Sequence, residues 1–164
     1  MAQPSNKSPF SREMFFATPI FFKDLPNSKE LNKHLLKHIK LWKKRDEKGI
    51  MRSNSLGWHS AVDMHNRNEY NPLTKELFKM QHEIYEAEGY HKNTEPVCDN
   101  MWANVSQYGA HNRNHTHPGS LYSLVYYLQS PDDCGQIWFT DPRPAAIAVQ
   151  QPLIKQQRPR ELMN

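Results

Sequence analysis

The chain has only two cysteines in 164 residues, Cys98 and Cys134, too few and too far apart for a disulfide framework or a zinc ribbon. A reducing compartment is the expectation that follows. No window reaches the roughly 18 consecutive apolar residues of a membrane span, and the N-terminus lacks the basic, apolar and small-residue succession of a signal peptide. The sequence therefore predicts a cytoplasmic protein with no membrane partner. Internal repeats, low-complexity segments and βαβ alternation are also missing, which excludes solenoids and doubly wound sheets. Positive charge is modest: the formal net charge is +4, with pI near 9.0. It comes mostly from lysines between Lys29 and Lys48 and from the last dozen residues. That distribution is too local, and too balanced by acids, to indicate a nucleic-acid groove.

What is present points to one folded domain. A chain of this length buries about two thirds of its unfolded surface, and its aromatic content of 11% exceeds that of a disordered sequence. Residues 1–13, polar and proline-containing, read as a flexible tail, and residues 14–164 as a single domain. "MFFATPIFFKDL" suits an edge strand, because Pro19 has no ladder donor. Asn27 with Glu30 three residues later is a capping-box pattern, and Leu31, Leu35, Ile39 and Trp42 recur at helical spacing. The spacing predicts a helix over 28–46 with Lys33, Lys37, Lys40 and Lys44 on its solvated face. A short strand is expected around Trp58 and Val62. Asn71 and Pro72 then read as N-cap and first helical position, and Gly89 as a stop, so a second helix spans 72–88. Beyond residue 95, "VCDNMWANVSQY", "LYSLVYYLQ" and "GQIWFTD" read as strands. Two helices leading a β-rich half make the class α+β with a mainly β core.

"NHTHPGSLYSLVYYLQ" raises a chemical question. In an extended segment, residues i and i+2 share a face with Cα atoms about 6.5 to 7 Å apart, so two imidazoles at that spacing converge on one ion. His115 and His117 have this spacing, and Pro118 favours extended geometry at the residue before it. Two imidazoles with a carboxylate and open positions suit non-haem Fe(II). The alternative is two loop histidines bonded to backbone carbonyls beside a core strand. Nine histidines occur in the chain, so a bare pair decides little. His111 reads as loop or substrate rim, and His59 ranks lower. Asp141 is the first choice for a carboxylate, although turn chemistry explains it about equally well; Asp132 and Asp133 sit in an expected turn.

The segment "NRNHTHPGSLYSLVYYLQSPDDCGQIWFTDPRP", preceded by "MWANVSQYG", resembles the 2-oxoglutarate- and Fe(II)-dependent oxygenase family of marine bacteria and of phages of marine cyanobacteria. "FFATPIFFKDL" and "GWHSAVDM" match the same family in order, so the resemblance covers roughly residues 14–150. It implies a double-stranded β-helix, a cupin-like jelly roll with flanking N-terminal helices, and a metal in its mouth. It also implies Fe(II) as cofactor, 2-oxoglutarate as cosubstrate, and a host-cytoplasm location if the gene is phage-encoded. His115 takes the place of the first histidine ligand, while His117 stands where an acid is usual, which implies either an all-histidine type of site or a carboxylate from elsewhere, with Asp141 the first choice. Tyr127 corresponds to a tyrosine that reaches 2-oxoglutarate. Asn104, with Trp102 and Tyr126, is expected to line the cavity. The family carries a further ligand histidine and a 2-oxoglutarate-gripping arginine in later strands. Here no histidine follows His117, and Arg143, Arg158 and Arg160 are the only later arginines. The jelly roll is accordingly expected to be incomplete at the C-terminus.

The function implied is a dioxygenase that hydroxylates an unknown small-molecule or protein substrate, with no catalytic group beyond the metal site. The rival from another class is a non-catalytic jelly-roll module that uses its pocket, or the lysine-rich helix, for binding. A structural zinc site is a third reading. Unpaired strand edges would favour a homodimer.

Overall fold

The structure is a computed structural model and describes residues 17–90 and 93–143. The expected tail, the first three residues of the opening segment, and Arg158 and Arg160 lie outside the described residues. The chain divides into two units, Met1–Ser120 and Leu121–Asn164.

The first unit begins with helix α1, Lys29–Arg45. Leu35, Ile39 and Trp42, spaced by four and three residues, are its buried stripe. The four lysines of the opposite face are exposed, as the periodicity predicts. Lys43, Lys44 and Arg45 occupy the last turn, where cations complement the carbonyl end of the helix dipole. The capping box is not formed. Asn27 adopts φ 55°, one position too early, and Ser28 is the N-cap without a side-chain hydrogen bond. Helix α2, Asn71–Ala87, begins one residue before its expected start. Gly89, at φ 74°, ends it in the left-handed conformation that glycine adopts without strain.

Short strands connect and brace these helices. They are β1 (Asn54–Ser55), β2 (Trp58–His59), β3 (Asn104–Val105) and β4 (His111–Asn112). β1 pairs antiparallel with β4, in the register Asn54↔Asn112 and Ser55↔His111. β2 pairs antiparallel with β3, through Trp58↔Val105 and His59↔Asn104. Ser60 N–H extends the second pairing by donating to Ala103 O (3.0 Å), and Met64 N–H donates to Met101 O (3.0 Å) in an isolated parallel bridge between Asp63 and Met101. The expected strand over residues 97–108 is therefore paired along its middle. Two single 3-10 turns, Met64–Asn66 and Asn68–Tyr70, lead into α2.

The core of this unit is aromatic. Trp42 meets Trp58 edge-on at 6.1 Å and Tyr70 at 5.8 Å. The Arg67 guanidinium lies 3.6 Å from the Trp42 ring centroid and is paired with Asp63 through Nε at 3.2 Å, so one cation serves a ring and a carboxylate. Trp58 Nε1–H donates to Asp46 O at 2.7 Å, tying the end of α1 to β2. The buried Ser60 hydroxyl donates to Ala61 O (2.7 Å) and accepts from Ala103 N–H (3.0 Å).

This arrangement corrects the expected location of the core. Leu35, Ile39, Trp42, Trp58, Met64, Tyr70, Leu73 and Ala103 are its buried apolar residues, and most come from helices and turns. Helix and small antiparallel sheets together make an α+β fold, but the described residues form two two-stranded pairs and not a complete jelly roll. "LYSLVYYLQ" and "GQIWFTD" are not strands: in the second unit, residues 121–143 contain no strand pairing. Leu121, Leu124, Val125, Ile137, Trp138 and Phe139 are exposed. Alternation of apolar residues selects a face for a strand but supplies no neighbour, and a ladder exists only between two chains of backbone groups. Residues 17–25, the described part of the expected edge strand, are likewise irregular, with Ile20, Phe21 and Phe22 exposed. No helix among the described residues is long and apolar enough to cross a membrane.

Candidate functional site

The histidine pair follows β4 directly. Arg113 fastens the start of its loop: its N–H donates to Ser53 O (2.9 Å), and its Nη2 donates to Arg52 O (2.9 Å). Beyond the pair, Ser120 N–H donates back to His117 O at 3.3 Å across a turn containing Gly119. Both histidines are exposed. Their ring centroids are 4.9 Å apart, with planes at 77°.

The two rings are held by different means. His115 Nδ1 lies 2.7 Å from Arg113 O. A carbonyl only accepts, so Nδ1–H is the donor, and in the neutral ring Nε2 is the nitrogen that keeps a lone pair. This is the arrangement metal-bound histidines commonly show, with the second nitrogen donating to a carbonyl. His117 instead packs on Trp102, centroid to centroid 5.8 Å at 33°. Trp102 in turn stacks on His59 at 5.3 Å, nearly parallel at 12°.

His59 is unlike the exposed pair. It is 4% exposed, and its Nδ1–H donates to Ser60 O at 2.6 Å. Burial pushes its pKa down, the nearby positive charge of Arg52 acts in the same direction, and the Ser60 hydrogen bond opposes them. Its neutral form is therefore favoured. The sequence ranks His59 low, and its burial comes from the two-residue strand β2, too short to show an alternation signal. The available clue was "GWHS" itself, an imidazole flanked by a tryptophan and a small residue.

The remaining predicted residues divide between the two units. Asn104 is exposed on β3, across from His59. Asp141, in the second unit, is engaged by its near neighbour Arg143. Its Oδ1 accepts from Arg143 N–H (3.0 Å) and Nε–H (2.9 Å), and its Oδ2 accepts from Nη2. These bonds hold its carboxyl down at about 2. It is thus a carboxylate at any physiological pH, already occupied by a guanidinium. Tyr127 is 58% exposed in the same unit, and Tyr126 is half-buried. Among the described residues, no group of three or more His, Cys, Asp or Glu side chains is placed to hold a metal ion. A 490 Å³ cleft lies elsewhere in the first unit, against α1, with Trp42, Arg45, Arg67 and Glu69 in its walls.

The pair supplies two imidazole nitrogens, the donor type that non-haem metals take, one with its second nitrogen already satisfied; among the described residues no third ligand joins them. No curated protein and no solved structure matches the chain. Residues 100–163, the segment that carries Trp102, His115, His117, Tyr127 and Asp141, match the model of the family described as "Putative 2OG-Fe(II) oxygenase", which supports that family and implies Fe(II) and 2-oxoglutarate as its cofactors.

Proposed function

We propose that this chain is a 2-oxoglutarate- and Fe(II)-dependent dioxygenase in which His115 and His117 are the imidazole ligands. The observation that carries the reading is the neighbouring His115 and His117 rings, 4.9 Å apart, inside the segment matched to the oxygenase family. When bound, Fe(II) and 2-oxoglutarate supply the oxygen-activating chemistry for hydroxylation of a C–H bond.

The chain's own residues bind and orient. His115 presents Nε2 because Arg113 O retains the Nδ1 proton, and the Arg113 bonds to residues 52 and 53 keep that carbonyl in place. His117 presents a second imidazole beside it. The family resemblance gives Tyr127 the 2-oxoglutarate contact; Asp141 is the first choice should a carboxylate complete the ligand set, and Asn104 is placed in the cavity lining by strand alternation.

Anaerobic titration with Fe(II) and 2-oxoglutarate tests the reading. The wild-type chain is expected to develop a weak visible charge-transfer band and, on admission of air, to form succinate. His115→Ala is expected to weaken Fe(II) binding by about tenfold or more and to remove the band. A wild-type protein that shows neither band nor succinate would overturn the assignment.

A further inference from the structure

We propose that Trp102, braced by the buried His59, is the positioning residue for His117, and that it does by ring packing what a backbone carbonyl does for His115. The inference rests on the reading of His115 and His117 as a metal pair and adds to it a residue that touches no ligand. A metal site needs its imidazoles fixed before the ion arrives, because every rotation frozen on binding weakens affinity. His115 meets this need through its 2.7 Å bond to Arg113 O. His117 is exposed and lies just before Pro118 in an irregular loop, so its ring requires support from outside the loop.

Trp102 supplies that support from a rigid part of the fold. Its ring is 5.8 Å from His117 on one contact and 5.3 Å from His59 on the other. Its backbone runs between two points tied to the 58–64 segment: Met101 N–H donates to Val62 O, and Ala103 N–H donates to the Ser60 hydroxyl. His59 cannot yield, since its ring is buried and bonded to Ser60 O. Its own carbonyl accepts the Ile50 N–H at 2.9 Å. A line of rings thus runs from the interior to the exposed pair, through His59, Trp102, His117 and His115. The indole is broad enough to meet two imidazoles at once, which a leucine of similar apolar character is not.

Two substitutions separate this role from simple stability. Trp102→Phe keeps an aromatic face, whereas Trp102→Leu keeps apolar bulk without one. Full-length protein is titrated with Co²⁺ alone by calorimetry, and the His117 imidazole resonances of metal-free protein are followed by NMR. Trp102→Leu is expected to weaken Co²⁺ binding about tenfold and to move the His117 ring signals toward those of a free histidine. Trp102→Phe is expected to keep affinity within about threefold of wild type. Equal affinities in wild type and Trp102→Leu, or unmoved His117 signals in the metal-free variant, would overturn the positioning role. If wild type and His115→Ala bind Co²⁺ equally poorly, the metal-pair reading fails instead, and the metal-free His117 signals still decide what Trp102 does. Should Trp102→Leu not fold, the Phe variant decides alone: an intermediate shift of the His117 signals supports the role, and identical signals refute it.

Discussion

Gly49→Ala is expected to destabilise the first unit by about 3 kcal/mol, measured as a fall in the urea midpoint with unchanged slope. Gly49 has φ 56°, in the left-handed region, where a side chain is strained by about 1 to 2 kcal/mol. Space is the larger difficulty. A Cβ there would stand 2.5 Å from His59 O and 2.8 Å from Cδ1 and Nε1 of Trp58. Neither neighbour gives way easily. His59 O accepts the Ile50 N–H, and Trp58 Nε1–H is bonded to Asp46 O. Gly89 provides the comparison, because it has φ 74° with nothing within 4 Å of the added carbon. Gly89→Ala should therefore cost only about 1 kcal/mol. Equal losses at both positions would show that the approach of Gly49 to β2 is not tight in solution. The Gly49 substitution should also disturb the Trp102 contact, since it displaces the backbone of the histidine behind that ring.

Tyr70→Ala is expected to remove about 4 kcal/mol, while Tyr70→Phe leaves stability unchanged or raises it by up to about 1 kcal/mol. The ring is 0% exposed and packs on Trp42, so deleting it opens a cavity at the centre of the aromatic cluster. Its hydroxyl is buried without a hydrogen-bond partner among the described residues. Removing that oxygen discards an uncompensated desolvation penalty and keeps the packing. The same burial, reinforced by the negative charge of Glu69, pushes the phenol up to about 12. The folded-state pKa is thus raised above its ordinary value near 10. Stability is then complete below pH 10 and declines as pH rises toward 12, by on the order of 2 kcal/mol, because only the unfolded chain ionises freely. Tyr70→Phe should remove this alkaline decline. Wild type and variant falling in parallel between pH 9 and 11.5 would place the loss in other groups.

The helices show which parts of a sequence can be read directly. α1 lies within the expected 28–46 and α2 differs from 72–88 by one residue at each end, because helical burial repeats within the segment itself at every third and fourth position. The strand expectations separate by partner. Residues 101–105 found one in the 58–64 segment; residues 121–143, rich in apolar and aromatic residues, form no strand. Pairing energy belongs to two segments at once, so an alternating pattern in one of them states half of the requirement.

The candidate site divides in the same way. From the sequence alone came the spacing of His115 and His117, the proline that extends the segment before it, and a family resemblance over roughly residues 14–150, which the family model supports over residues 100–163. Those features are local, set by backbone geometry and residue order. The tertiary structure decided that His115 is oriented by its own loop and His117 by a tryptophan stacked on a buried histidine from the distant β2. It also decided that the aromatic core gathers around Trp42 and Tyr70. Contacts between side chains far apart in the chain arise from loop closure and from competition among many apolar partners. No single segment records their outcome.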